Sequence, residues 1–241
     1  MKHRLFNCYA IAWLFLWAAA LAHGQPWPTR PVRLVVPFGP GGAADIVARI
    51  LGERLAPALG QSVVIDNRPG ASGTIATEIV ARAPADGYTI GTQSTTSFTY
   101  AVHVFGAKLP YHPVRDFTPI TRVALVPLML VVHPGVPAKS IRDLSDYIRA
   151  RPGKISYASF GYGSTPHVAA EMFRLAAGLD YQHVPYKGSG QAHPDLLGGQ
   201  VQLMFDTVLA SVGYVRTGRL RALAVTSGRR LGNIQIGRAH V

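Results

Sequence analysis

The sequence predicts an α/β protein built in two halves, and three observations predict it. Short apolar, β-rich runs alternate with stretches of helical periodicity from Arg33 to Thr226. The alternation restarts after Asp116-Phe117-Thr118-Pro119-Ile120, so one set of units follows another. Three strand-to-helix junctions are rich in glycine, serine and threonine. Strand, helix, strand in this rhythm implies parallel sheet covered on both faces. The 241 residues and 48% hydrophobic content suffice for one large or two modest domains with real cores. At 15%, charged residues are too sparse for a disordered or coiled-coil chain.

In the first half, residues 33–38 form an apolar strand. Val47, Leu51, Leu55 and Leu59 then recur every four residues, a helix face that ends at Gly60. Residues 62–66 (SVVID) read as the next strand, 67–73 as a loop and 74–83 as a helix. The turn Pro84-Ala85-Asp86-Gly87 leads into a strand over 88–93, a polar loop over 94–97 and another helix. In the second half, residues 123–132 form a long apolar run interrupted by Pro127. Ser140 and Asp143 have the spacing of a capping box and open a helix over 141–151. Strands follow over 155–159, 183–186, 201–205 and 220–226. A helix starting at Pro166 or His167, and shorter helices after 190 and 206, separate them.

The ends of the chain read differently from its middle. Lys2, His3 and Arg4 precede an apolar stretch over 5–21, and Ala20-Leu21-Ala22-His23-Gly24 supplies small residues, which together make a secretory signal peptide. A membrane anchor is the alternative, because the stretch approaches the length needed to span a bilayer. The small residues and the Pro-rich restart at Gln25-Pro26-Trp27-Pro28 favour cleavage. The single cysteine, Cys8, lies inside this segment without the apolar stretch a lipid anchor needs before it. A mature chain without cysteine has no disulfide, no thiol nucleophile and no thiolate metal ligand. Residues 236–241 resemble one reading frame of a common sequencing-library adapter. Residues 232–241 are therefore expected to be foreign to the fold.

The net charge of +12 and pI near 10.3 suit either a nucleic-acid binder or an exported protein that attracts small anions. Lysines and arginines are scattered rather than gathered into an arm, so no nucleic-acid partner is expected. The glycine-rich junctions at 37–45, 67–74 and 159–167 would line the carboxyl edge of the sheets, where ligands bind in parallel α/β units. Backbone N–H groups at a helix start, backed by the helix dipole, hold an anion without a cationic side chain. Ser72, Thr74, Ser164 and Thr165 add hydroxyls. Taken singly, each loop is explained as well by turn conformation and capping; three of them in two halves point to a carboxylate or phosphate pocket.

Two enzymatic readings compete. Gly39, Gly41 and Ala44 approximate a dinucleotide fingerprint, with Asp66 where a ribose-binding acid would sit. Pro37, Phe38 and Pro40 disturb that loop, and export removes the chain from the cytoplasmic cofactor pool. Ser164 and His167, three residues apart, suggest a nucleophile and base for an exported hydrolase, but residues on one first turn rarely have that geometry and no G-x-S-x-G surrounds the serine. His112, His133, His183 and His193 lack paired metal spacing and read as structural or solvated. Asp45 suits the positive end of its helix, and Asp206 the cap of the next one. Lys187 in PYKGSG could meet an anion. No catalytic residue, cofactor or metal is expected.

The blocks WPTRPVRLVVPFGPGGAADIVAR, IDNRPGASGTIATEIVARAPADGYTI, DFTPIT, ISYASFGYGSTPHVAAEMF, YQHVPYKGSGQAHPDLLGGQVQLMFD and RALAVTS occur in this order. In this order they resemble the extracytoplasmic solute receptors of the tripartite tricarboxylate transporter system, the Bug family. The resemblance runs from about Pro26 to Leu231. It implies a periplasmic-binding-protein type II fold, two Rossmann-like lobes with a ligand cleft between them, and a monomer in the periplasm. It also implies capture of a small carboxylate (di- or tricarboxylate, acidic amino acid or aromatic acid) and delivery to a membrane permease. The carboxylate would rest on loop backbone and hydroxyls, partly through ordered waters, rather than on an arginine clamp. Carried over, Phe38, Gly41, Gly42 and Asp45 form the first contact loop. Ser72, Gly73 and Thr74 form the second, with Thr95 in the 94–96 segment beside them. Ser159, Gly163, Ser164, Thr165 and His167 form the facing cradle, with Lys187 and Asp206 at its margins. The expected division is a signal peptide at 1–24, lobe one at 25–121 and 222–231, and lobe two at 122–221. Members of the family continue past the strand at 223–226 and complete lobe one there, so this chain is expected to lack part of that lobe and to be less stable than an extended form.

Overall fold

A computed structural model describes residues 27–228 of the chain. The signal-peptide reading, Cys8 and the reading of the tail fall outside the described residues.

Among the described residues, the first lobe holds a three-stranded parallel sheet in the order β2-β1-β3. Its central strand is β1 (Val32–Val36), flanked by β2 (Val63–Asn67) and β3 (Thr89–Gly91). Helix α1 (Ala43–Leu59) covers one face and ends where Gly60 turns left-handed at φ 64°. Its closest approach to the sheet is made by small residues. Ala48 and Gly52 are buried, and a Cβ on Gly52 would stand 3.3 Å from Ile65 Cδ1. The expected leucine stripe runs beside this contact and is only half-buried. Helix α2 (Thr74–Ala81) follows a loop with positive φ at four consecutive residues, two of them, Ala71 and Ser72, not glycine. The expected polar loop at 94–97 is shorter than the sequence suggests, because a π-helical turn (Thr96–Tyr100) starts inside it and runs into α3 (Ala101–Phe105). Residues 118–127 have no regular secondary structure and expose Ile120 and Leu125.

The second lobe has five strands in the order β6-β5-β7-β4-β8. Strand β4 (Leu128–Val132) is buried at every position, as its uninterrupted LMLVV run requires of a central strand. Strands β5 (Ser156–Ser159), β6 (Gln182–Pro185) and β7 (Leu203–Thr207) are parallel, joined by α5 (Thr165–Ala177) and α6 (Ser189–Leu197). Between β4 and β5, α4 (Ile141–Arg149) is opened by Ser140, whose Oγ accepts from Asp143 N at 3.1 Å. The Asp143 carboxylate accepts from Lys139 N, one residue earlier than a strict capping box requires. Helix α7 (Val208–Arg216) leads to β8 (Arg221–Val225).

Two expectations need correction. The second sheet is mixed, because β4 runs antiparallel to both β7 and β8. Of the segment expected in lobe one (222–231), residues 222–225 lie in β8, which pairs with β4 in the second sheet. Two apolar layers sandwich this sheet, one around Tyr157, Leu130 and Leu203, the other around Met129, Met204 and Leu196.

Candidate functional site

The carboxyl ends of β1 and β3 face the carboxyl end of β5, and the loops leaving them touch across the seam between the lobes. Gly39 N donates to Lys187 O at 3.0 Å. Ser72 Oγ donates to Tyr162 O at 2.5 Å. The hydroxyls of Thr96 and Thr165 lie 2.8 Å apart, and Thr165 N donates to Thr96 Oγ1 at 3.0 Å. The rings of Phe38 and Phe160 meet at 5.4 Å. The two lobes therefore sit closed against one another at these loops.

On the first-lobe side, Phe38 is 8% exposed and packs into the second lobe's Met129–Met204 layer. Asn67 Nδ2 holds its carbonyl at 2.9 Å. Gly42 precedes α1, and Gly41 N donates to Asp45 Oδ2 at 3.0 Å, the oxygen that also takes Arg49 Nε. Burial pushes the Asp45 carboxyl up, but Arg49 and the Gly41 N–H outweigh it, and its pKa is lowered. In the second loop, Thr74 Oγ1 donates to Ala71 O at 2.9 Å, and Gly73 lies where a Cβ would stand 3.0 Å from Pro37. Thr95 is exposed, and its neighbour Thr96 makes the contact across the seam.

On the second-lobe side, the Ser159–His167 loop folds onto itself. Ser159 Oγ, fully buried, accepts from Gly161 N and lies 2.6 Å from His183 Nε2. Ser164 Oγ donates to Gly161 O at 2.6 Å and accepts from His167 N as the cap of α5. Gly163 N donates to His167 Nδ1 at 3.3 Å. This overturns the nucleophile–base reading, because the Ser164 hydroxyl is spent on capping and the imidazole nitrogen nearest the loop accepts from backbone. Burial lowers the His167 pKa against the pull of Glu171. Burial, and then the neighbouring His167, lower His183 to about 4. The His167 and His183 rings lie 4.6 Å apart, with Tyr162 edge-on to His183 at 4.6 Å.

Two margin residues sit differently from expectation. Lys187 is exposed and meets the first lobe through its carbonyl rather than its ammonium. Asp206 is neither a helix cap nor a group facing the seam. It lies at 0% exposure within β7, enclosed by Ser189, His193, Thr207 and Ser211. The dinucleotide reading also loses its acid, because Asp66 is held by Arg33 and Arg68. A cavity of about 580 Å³ is lined by Gly41, Gly190, His193, Tyr214 and Arg219, and not by the Ser159–His167 loop.

Among the described residues, the buried side-chain polar atoms without a partner are Asp45 Oδ1, Thr92 Oγ1, Gln93 Nε2, Ser94 Oγ and His183 Nδ1. All belong to residues on or beside the strand ends, loops and helix start that meet here. The alternation of loop glycines and hydroxyls pointed to this edge. No pattern in the residues marked Thr96, Phe160 or Tyr162 as cross-lobe partners, or His183 as the support of Ser159.

The profile of the tripartite tricarboxylate transporter family receptor matches residues 47–236. A UPF0065 protein of Bordetella pertussis is 38% identical over 216 residues, 90% of this chain and 66% of that protein. The chain thus spans about two thirds of that relative's length. Rpa4515 of R. palustris, solved with adipate, aligns with TM-score 0.78 and 42% identity over 85% of this chain and 68% of its own. MatC from Rhodopseudomonas palustris, solved with bound malate, aligns with TM-score 0.80 and 32% identity over 85% and 69%. The periplasmic binding protein BugD aligns with TM-score 0.80 and 37% identity over 88% and 71%. The fold is accordingly the two-lobed α/β fold of periplasmic binding proteins, and the family is one of receptors rather than enzymes. With a profile match across most of its length and relatives that share its lobes, the chain belongs to the tripartite tricarboxylate transporter receptor family.

Proposed function

We propose that the chain captures a small dicarboxylate between its two lobes and hands it to a membrane permease, working as a monomer in the periplasm. The observation that carries this reading is the seam itself. Two sheets present glycine-rich, hydroxyl-bearing loops to one another, and the partnerless donors Thr92 Oγ1, Gln93 Nε2 and Ser94 Oγ lie beside the first-lobe loops. An anion in such a place is held by oriented N–H and O–H dipoles, whose pull strengthens as closure expels water. A hinge motion supplies the difference between states, because the ligand meets both sets of loops only in the closed form. The adipate and malate of Rpa4515 and MatC favour a guest with two carboxylates. The charged amino-terminal segment and the periplasmic relative BugD support the compartment.

The test is a thermal-shift panel of malate, adipate, citrate, glutamate, nicotinate and NAD. At a hundredfold excess over its Kd, the true ligand adds about 2.7 kcal/mol to stability. A dicarboxylate is expected to raise Tm and NAD to leave it unchanged. A shift with NAD and with no carboxylate would overturn the reading.

A further inference from the structure

We propose that Asp206 is a positioning residue for lobe closure, acting from inside the second lobe without touching ligand. The inference rests on the closing-receptor reading above. Asp206 lies at the end of β7 with no exposed surface, and donors surround its carboxylate. Ser189 Oγ at 2.7 Å and Thr207 N at 2.7 Å meet Oδ1. His193 Nε2 at 2.8 Å and the Ser211 hydroxyl meet Oδ2. An acceptor-only group suits this arrangement, since each neighbour can present a hydrogen.

Besides Thr207 of β7, the partners belong to α6 and α7, which meet the first lobe as α5 does at Thr165. Ser189 opens α6 and His193 lies one turn further along it, while Ser211 lies on α7. The stretch at the start of α6 is the surface on which the first-lobe loop rests. Lys187 O takes the Gly39 N–H, and Gly190 lies so close to that loop that a Cβ there would stand 2.2 Å from Pro40 O. A Cβ on Gly42 would in turn meet Ser189 Oγ at 3.7 Å. Helix α7 touches α1 of the first lobe. One buried carboxylate therefore ties together α6 and α7, two of the helices that receive the first lobe. Surface loops alone would leave that seat free to shift, because α6 opens with glycines on either side of Ser189 and no side-chain cap.

Amide hydrogen exchange on the full chain tests this. Asp206→Asn places a donor among donors and is expected to speed exchange of the Gly39 amide at least tenfold, while β4 amides keep their protection. Ser189→Ala, which removes one strut without introducing a mismatch, is expected to do the same to a smaller degree, and it serves as the readout if Asp206→Asn does not fold. Gly190→Ala blocks the seat directly and sets the scale for an open seam. An unchanged Gly39 amide in Ser189→Ala, or a rise in exchange spread equally over β4 and β7, would assign these residues to core stability alone and overturn the inference. Malate and adipate titrations separate the two proposals. If wild type and variants bind with equal affinity, the positioning role fails and the receptor reading stands. If wild type binds neither while Gly39 still loosens in the variants, the seam device stands and the ligand reading falls.

Discussion

The two lobes build the same kind of loop on very different foundations. Among the described residues, the second has five strands with a buried apolar layer on each face, and its β4, β5 and β7 are almost wholly enclosed. The first, among the same described residues, has three strands, and the buried residues of its own core cluster are Leu34, Val36 and Ala48. Its first glycine-rich loop is held largely by the other lobe, since Phe38 is buried in the second lobe's core and Gly39 bonds to Lys187. The second-lobe loop has struts of its own, Ser159 on His183 and Ser164 on Gly161, besides its bonds across the seam at Tyr162 and Thr165. A seam of this kind separates a rigid receiver from a partner whose loops gain their order on closing.

The largest effect that could break this contrast comes from the cores. Leu130→Ala in the second lobe is expected to cost roughly 2–5 kcal/mol, read from denaturant unfolding. Leu34→Ala should instead release the amides of β1 and β2 first and leave β5 and β7 protected. Simultaneous loss of protection in both lobes would show that they unfold as one unit and that the contrast has no energetic content. Next is the Ser159–His167 loop. Ser164→Ala removes the cap of α5 and is expected to cost about 0.5–2 kcal/mol. It should weaken carboxylate binding without abolishing it, whereas a hydrolytic serine would lose all turnover. A calorimetric titration with malate and adipate checks this.

The smallest effect sharpens the comparison by pH. His183 is held neutral in the folded state, with its pKa near 4 against an ordinary 6.5, so the unfolded chain binds more protons between those values. Stability is therefore full above about pH 6.5 and declines as pH falls towards 4. His167, also lowered, adds to the same decline. His183→Gln should flatten the Tm profile across that window. A first-lobe change at an exposed site such as Val64→Thr should leave its shape intact. An unaltered profile in His183→Gln would remove the imidazole from the account of this loop.

Much of this architecture was legible in the residues. The 3.6-residue periodicity and the Gly60 stop fixed α1, the apolar run over 123–132 contained β4 in the half after Pro127, and Ser140 with Asp143 marked the start of α4. The glycine- and hydroxyl-rich junctions identified the edge at which the lobes meet. The misses share one cause. Asp206 reads as a helix cap or a residue at the margin of the cradle, because a carboxylate's role depends on which donors surround it. Those donors, Ser189, His193 and Ser211, come from two separate helices. By contrast, the sequence itself sets a Ser164–His167 dyad aside in favour of capping, and the Ser164 hydroxyl does cap α5 while donating to the Gly161 carbonyl.

By itself, then, the sequence determined the alternation of strands and helices and the small-residue loops suited to an anion, since these follow from local periodicity and backbone freedom. Only the tertiary structure decided the direction of β4, the sheet to which β8 belongs, the cross-lobe partners Thr96 and Thr165, and the burial of Asp206. Each of those depends on contacts between residues far apart along the chain, and pairing at such distance leaves no periodic trace in the residues that make it.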